Sequence, residues 1–148
     1  MIATSRLAGH RKWASLSFVS TLYLHPVLEI LLSEVPRQWQ AELRLGLQEA
    51  LVNASKHGNG LDPRKQVLVR YSTLAPRLSW IIADQGSGFN HPCGCGDCFD
   101  QGQFHMGEGG RGLYILYQVF DQVAWHQGGR EVHLHKTITQ FPRVPLVS

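Results

Sequence analysis

The chain has 148 residues, 43% of them hydrophobic and only 17% charged, with a formal net charge of +3. That balance suits one globular domain with a sizeable core and excludes an intrinsically disordered chain. Its Lys and Arg residues are scattered rather than gathered into a stripe, which argues against direct nucleic-acid binding.

In chain order, the N-terminal MIATSRLAGHRKW lacks the apolar core of a signal peptide, so a cytoplasmic protein is expected. Residues 13–19 (WASLSFV) alternate as a strand does. Over 21–34, Leu24, Val27, Leu28, Leu31 and Leu32 recur at helix spacing, and the run stops before Pro36. His25, Pro26 and Glu29 keep this apolar stretch from being a membrane span. A long helix is predicted over 37–57, closed by Gly58 and the turn-forming Asn59-Gly60. Strands at 66–72 and 77–83 flank a short turn as a hairpin. A glycine- and cysteine-rich stretch then runs to about Gly109, a third helix spans 112–120, and 123–126 with 131–138 form a last hairpin around Gly128-Gly129. Helices segregated from hairpin-linked strands predict an α+β sandwich, one sheet covered on one face. A single domain over 11–140 is expected, with 1–10 and 141–148 as flexible termini.

Three segments carry chemistry. On the long helix, Leu43, Leu47, Ala50, Leu51 and Ala54 form the buried stripe, while Glu49, Asn53 and His57 recur every fourth residue beside Leu45 and Val52. A Glu one turn before an Asn suits a magnesium site: the carboxamide oxygen is a hard neutral ligand, and the carboxylate can deprotonate a nucleophile. A solvated polar edge is the plain alternative. Next, Asp84-Gln85-Gly86-Ser87-Gly88-Phe89 follows the apolar strand LSWIIA. Its acid can accept a hydrogen bond from a purine amine, and its glycines let a ring or phosphate approach the backbone. A tight turn with a capping Asp explains the same letters. Last, Gly107-Glu108-Gly109-Gly110-Arg111-Gly112 opens the helix LYILYQVF. Free amides at a helix start, with an arginine, make an anion site; a glycine hinge is the alternative. The string satisfies G-x-G-x-x-G, but no strand precedes it as a dinucleotide fold requires.

In this order and spacing, the three segments closely resemble the nucleotide site of the GHKL ATPases, the superfamily of gyrase, MutL and the histidine kinases. Glu49-Ala-Leu-Val-Asn53-Ala-x-x-His57-Gly58-Asn59 is most similar to the anti-sigma-factor serine/threonine kinases of bacterial partner-switching systems. The likeness runs from about Arg11 to about Ile138. It implies a two-layer Bergerat-type sandwich, its mixed and mostly antiparallel sheet covered by helices on one face. It further implies an ATP and Mg²⁺ site, with Asn53 on the metal and Glu49 as general base. Asp84 would hold the adenine amine, and Gly86 and Gly88 would shape its pocket. Gly107, Gly109, Gly110, Arg111, Gly112 and Leu113 would surround the phosphates. The implied partners are an anti-anti-sigma (STAS) domain as phosphoacceptor, a sigma factor and a second copy of the chain. One departure stands out: the family's Gly-Thr-x-Val stretch is here Gly129-Arg130-Glu131-Val132, without the threonine hydroxyl.

The segment 90–108 falls where the superfamily has its nucleotide lid, and it holds Cys93, Cys95 and Cys98 between His91 and His105. Three readings fit: a zinc site, a redox switch, or reduced thiols without a role. For function, the leading expectation is an ATP-dependent protein-serine/threonine kinase that also binds a sigma factor. The rival is an ATP-sensitive anti-sigma or regulatory binding module with little phosphotransfer. A histidine-kinase catalytic part lacks support, since no helical hairpin with a phosphoacceptor His is present in the sequence.

Overall fold

The computed structural model describes residues 2–6, 13–87 and 110–139. Their strands form a six-stranded sheet, β1 (Ala3–Arg6), β2 (Ala14–Val19), β3 (Gln66–Ser72), β4 (Arg77–Ala83), β5 (Gln122–His126) and β6 (Glu131–Thr137). The spatial order is β1-β2-β3-β4-β6-β5, and every neighbouring pair is antiparallel. The expected sheet is therefore present, without the parallel pair that "mixed" allowed for among the described strands.

Alternation decides which face is covered. Val67 and Val69, Leu78, Trp80 and Ile82, and Val132 and Leu134 are buried, while their neighbours Gln66, Leu68 and Arg70 face outward. The covering layer consists of α1 (His25–Leu32), α2 (Arg37–Val52) and α3 (Gly110–Val119). Their apolar stripes join the strands in one core. In α2 the expected stripe of Leu43, Leu47, Ala50 and Leu51 is buried, each leucine contributing about 1.5–3 kcal/mol on transfer from water. Gly46 sets how closely α3 approaches: a Cβ there would stand 2.7 Å from Phe120 Cε2 and from Val119 Cγ1.

Four boundaries differ from expectation. First, α1 is shorter than 21–34. Pro26 occupies its first turn, where a missing N–H costs nothing, and Ser33 closes it through Oγ to the Ile30 carbonyl. Second, the α-helical part of the second helix ends at Val52 and continues as a π-helical segment, Asn53–Gly58. Third, α3 starts at Gly110 rather than Gly112. Finally, residues 3–6, expected to be loose, pair with β2 from Ala3↔Ser17 to Arg6↔Ala14. ATSR has no apolar alternation, so it gave no strand signal; Ile2 against the core and a Ser5–Ser15 hydroxyl bond of 2.6 Å hold it.

Candidate functional site

The site grows from the junction of α2, the π segment and α3. Glu49 and Asn53 are both half-buried, and Gly112 lies against them. A Cβ at Gly112 would stand 2.9 Å from Glu49 Oε2 and 3.6 Å from Asn53 Oδ1. The first turn of α3, which includes Gly110 and the backbone of Arg111, is thereby brought to the Glu-x-x-x-Asn edge. The Asn53 Nδ2 is sealed from solvent and has no hydrogen-bond partner among the described residues. His57 parts from this group and is exposed. Hydrogen bonding to the fifth residue, as from Asn59 N to Ala54 O at 2.9 Å, widens the turn and shifts the phase that an α-helix would have kept.

The widened turn delivers Gly58 and Asn59 to the end of β4, where Asp84 stands. Gly58 packs directly on the Asp84 carboxylate, and any Cβ there would collide with Asp84 Oδ2. Gly86 in turn packs under the Gly58 carbonyl, where a Cβ would overlap the Gly58 oxygen. The reason for glycine at 86 is therefore first a backbone-to-backbone contact. Gly86 N–H also donates to Asp84 Oδ1 at 2.8 Å, and Asp84 N–H donates to Arg130 O at 2.8 Å. Burial raises the Asp84 pKa above 3.8; the Gly86 N–H bond, Arg130 and Lys65 act in the opposite direction.

A cavity joins the two halves. Asn53 and Asp84 line it with Ala50, Ala54, Ile82, Val132, Trp125, Gly129 and Arg130. Its walls are apolar, with an acid, a carboxamide and a guanidinium among the lining groups; at about 10 Å³ it has room for one water rather than a heteroaromatic ring, so it marks the floor of a site and not a formed pocket. Arg130 Nε donates to Gln127 O at 3.0 Å across the β5–β6 turn, in which Gly128 and Gly129 have φ of +66° and +91°. Arg130 thus occupies the wall where the resemblance led us to expect a threonine.

Of the residues singled out in the sequence, Glu49, Asn53, Asp84, Gly86 and Gly112 converge. Leu113 is half-buried against the core. Gly88, Gly107, Gly109, Cys93, Cys95 and Cys98 lie outside the described residues. Among the described residues, no group of three or more His, Cys, Asp or Glu side chains could hold a metal ion, and no helix is long and apolar enough to cross a membrane. Sequence reasoning missed Gly58 and Asn59 as structural partners of Asp84. Their signal was present in His57-Gly58-Asn59, read there only as a helix stop and a family detail. Trp125 was also missed, although strand alternation places it and Val123 on the inner face.

A model of the histidine kinase-like ATPase domain matches residues 23–136, a span that contains every converging residue. Serine-protein kinase RsbW of Bacillus velezensis is 32% identical over 94 residues, covering 55% of this chain and 54% of that protein. RsbW of Bacillus subtilis is 31% identical over 94 residues with the same coverage. The chain spans about half the length of the curated relatives it matches. It belongs to the histidine kinase-like ATPase domain family, and this membership implies an ATP site on the domain.

Proposed function

We propose that this protein is an ATP-dependent protein-serine/threonine kinase of a bacterial partner-switching system. Its phosphoacceptor is an anti-anti-sigma STAS domain, and a sigma factor or comparable regulated target is its second partner. The observation that carries the reading is the convergence of Glu49, Asn53 and Gly112 beside the cavity that contains Asp84. The serine-protein kinase relatives support the same activity. As a cytoplasmic homodimer without direct contact to membrane or nucleic acid, it would act on other proteins alone.

The residues present fit the ligands. Asp84, held by Gly86 and walled by apolar side chains, accepts from the exocyclic amine of adenine. The Asn53 amide nitrogen is sealed from solvent with no acceptor among the described residues, and its carboxamide oxygen is a hard ligand for Mg²⁺. Bound there, Mg²⁺ supplies charge neutralisation for the phosphates. The backbone at Gly110–Gly112 starts α3 and offers helix-start amides to the phosphates, and in sequence Arg111 adds a positive charge there and Gly107 and Gly109 precede it.

Glu49 receives the proton of the acceptor Ser or Thr hydroxyl. The hydroxyl oxygen bonds to the γ-phosphorus, the bond from that phosphorus to the bridging oxygen breaks, and ADP leaves. Positioning and charge neutralisation carry most of the acceleration, the base adding on the order of 10²–10⁴.

Arg130 in place of a hydroxyl favours one second reading, a regulatory module that binds nucleotide and partner but transfers little phosphate. Incubation with γ-labelled ATP, Mg²⁺ and candidate STAS domains separates the two. A labelled STAS domain supports the kinase; nucleotide binding with no labelled partner selects the module.

A further inference from the structure

Asn59 is 2% exposed, and its carboxamide is fully engaged. Its Oδ1 accepts from the Gln85 N–H at 2.7 Å, and its Nδ2 donates to Ser20 Oγ and to Gln66 O, both at 2.9 Å. Gln85 returns the connection, its Oε1 accepting from the Gln66 N–H at 2.8 Å. Asn59, Gln85 and Gln66 thus form a closed ring of hydrogen bonds. Ser20 anchors that ring to the end of β2 by donating to Lys65 O at 2.8 Å.

The ring fixes the peptide that follows Asp84. With Gln85 N–H held by Asn59 and Gly86 N–H held by Asp84 Oδ1, the direction of the Asp84 carboxylate is set from both sides. The Asn59 N–H bond to Ala54 O also closes the π turn that places Gly58 on the same carboxylate. One residue therefore serves both: its side chain holds the loop carrying the acid, and its backbone N–H closes the turn against which the acid packs. An aliphatic residue of similar size would fill the space but leave the Gln85 N–H and the Gln66 carbonyl unmatched.

We propose that Asn59 is a positioning residue for purine recognition, determining how strongly the site prefers a 6-amino over a 6-oxo purine through the orientation of Asp84. This rests on the reading of Asp84 as the acceptor for the adenine amine. The discriminating quantity is the ratio of IDP to ADP dissociation constants, measured by calorimetry on the full chain with Mg²⁺. A fold that is merely weakened lowers the fraction of active protein and leaves this ratio unchanged.

The parent protein is expected to prefer ADP by about tenfold or more. In Asn59→Ala the preference collapses toward one. Asn59→Asp, which keeps the acceptor for the Gln85 N–H, retains more of it. An undiminished ratio in Asn59→Ala overturns the proposal while leaving the Asp84 reading intact; a parent ratio near one overturns both. Should Asn59→Ala fail to fold, Ser20→Ala removes one acceptor of the Asn59 Nδ2 while keeping Asn59 itself, and is expected to lower the ratio about two- to fivefold. An unchanged ratio in that variant likewise overturns the proposal.

Discussion

Gly112 in the first turn of α3 lies directly on the Glu49 carboxylate, with room for a hydrogen but not for a methyl group: a Cβ would stand 2.9 Å from Glu49 Oε2. The obstructing atom is the far end of a flexible side chain, so Gly112→Ala displaces Glu49 rather than the helix. Helix propensity gains about 0.8–1 kcal/mol, and stability should be nearly unchanged. Phosphotransfer should fall about 10- to 100-fold, since a displacement near 1 Å costs that much at a reacting centre. A thermal melt paired with a transfer assay checks this. A stable variant with parental transfer would separate Gly112 from the chemistry.

Gly86→Ala meets backbone instead, because the Gly58 carbonyl occupies the place of the added methyl. The loop must shift, with an expected loss of about 1–3 kcal/mol in urea unfolding and a loss of nucleotide affinity. Unfolding at the parental midpoint would contradict the close approach of these two glycines.

Asp84 gives a pH signature. Its folded-state pKa is raised above 3.8, chiefly by burial, so the protonated acid is favoured by folding. The stabilisation is fully present below 3.8 and is lost as pH rises through the folded-state value. Asp84→Asn mimics the neutral acid. It should therefore be more stable than the parent at neutral pH, with the difference vanishing below the unfolded value, while adenine nucleotide affinity falls about tenfold or more. Urea titrations at neutral and acidic pH test the sign, and a variant less stable at neutral pH would refute it.

Lys136 ties the layers together away from the site. It is 7% exposed, donates to Val119 O at 2.9 Å and to Glu42 Oε1 at 3.3 Å, and lies 5.4 Å from the centre of the Trp39 ring. Its charge also sits at the C-terminal end of α3, where a cation is favoured. Lys136→Ala should cost about 2–4 kcal/mol, with Lys136→Met recovering part through the buried stem. An alanine variant as stable as the parent would show that these bonds contribute nothing net.

What the sequence reveals follows from the range of each signal. Periodicity located the β3–β4 hairpin at its observed bounds and gave the buried stripe of α2, because both patterns are local. Residues Glu49, Asn53, Asp84 and Gly112 were recognisable as types at given spacings. Their convergence is a tertiary fact that only the resemblance anticipated. The π segment left no such signal, for it arises where Asn59 reaches back to Ala54 and across to Gln85 and Gln66. β1 escaped because an edge strand of four residues needs no alternating pattern to pair. Arg130 was visible as a departure from the family, but its place beside Asp84 depends on the β4–β6 pairing.

The central claim is that Glu49 serves the transfer step and the Asn53–Asp84 cavity serves binding. The most direct test measures, on Glu49→Ala, both the ADP dissociation constant and single-turnover phosphotransfer from ATP to an acceptor STAS domain. The account predicts measurable binding within about threefold of the parent and transfer reduced by at least about 10². Equal transfer rates in variant and parent would contradict it.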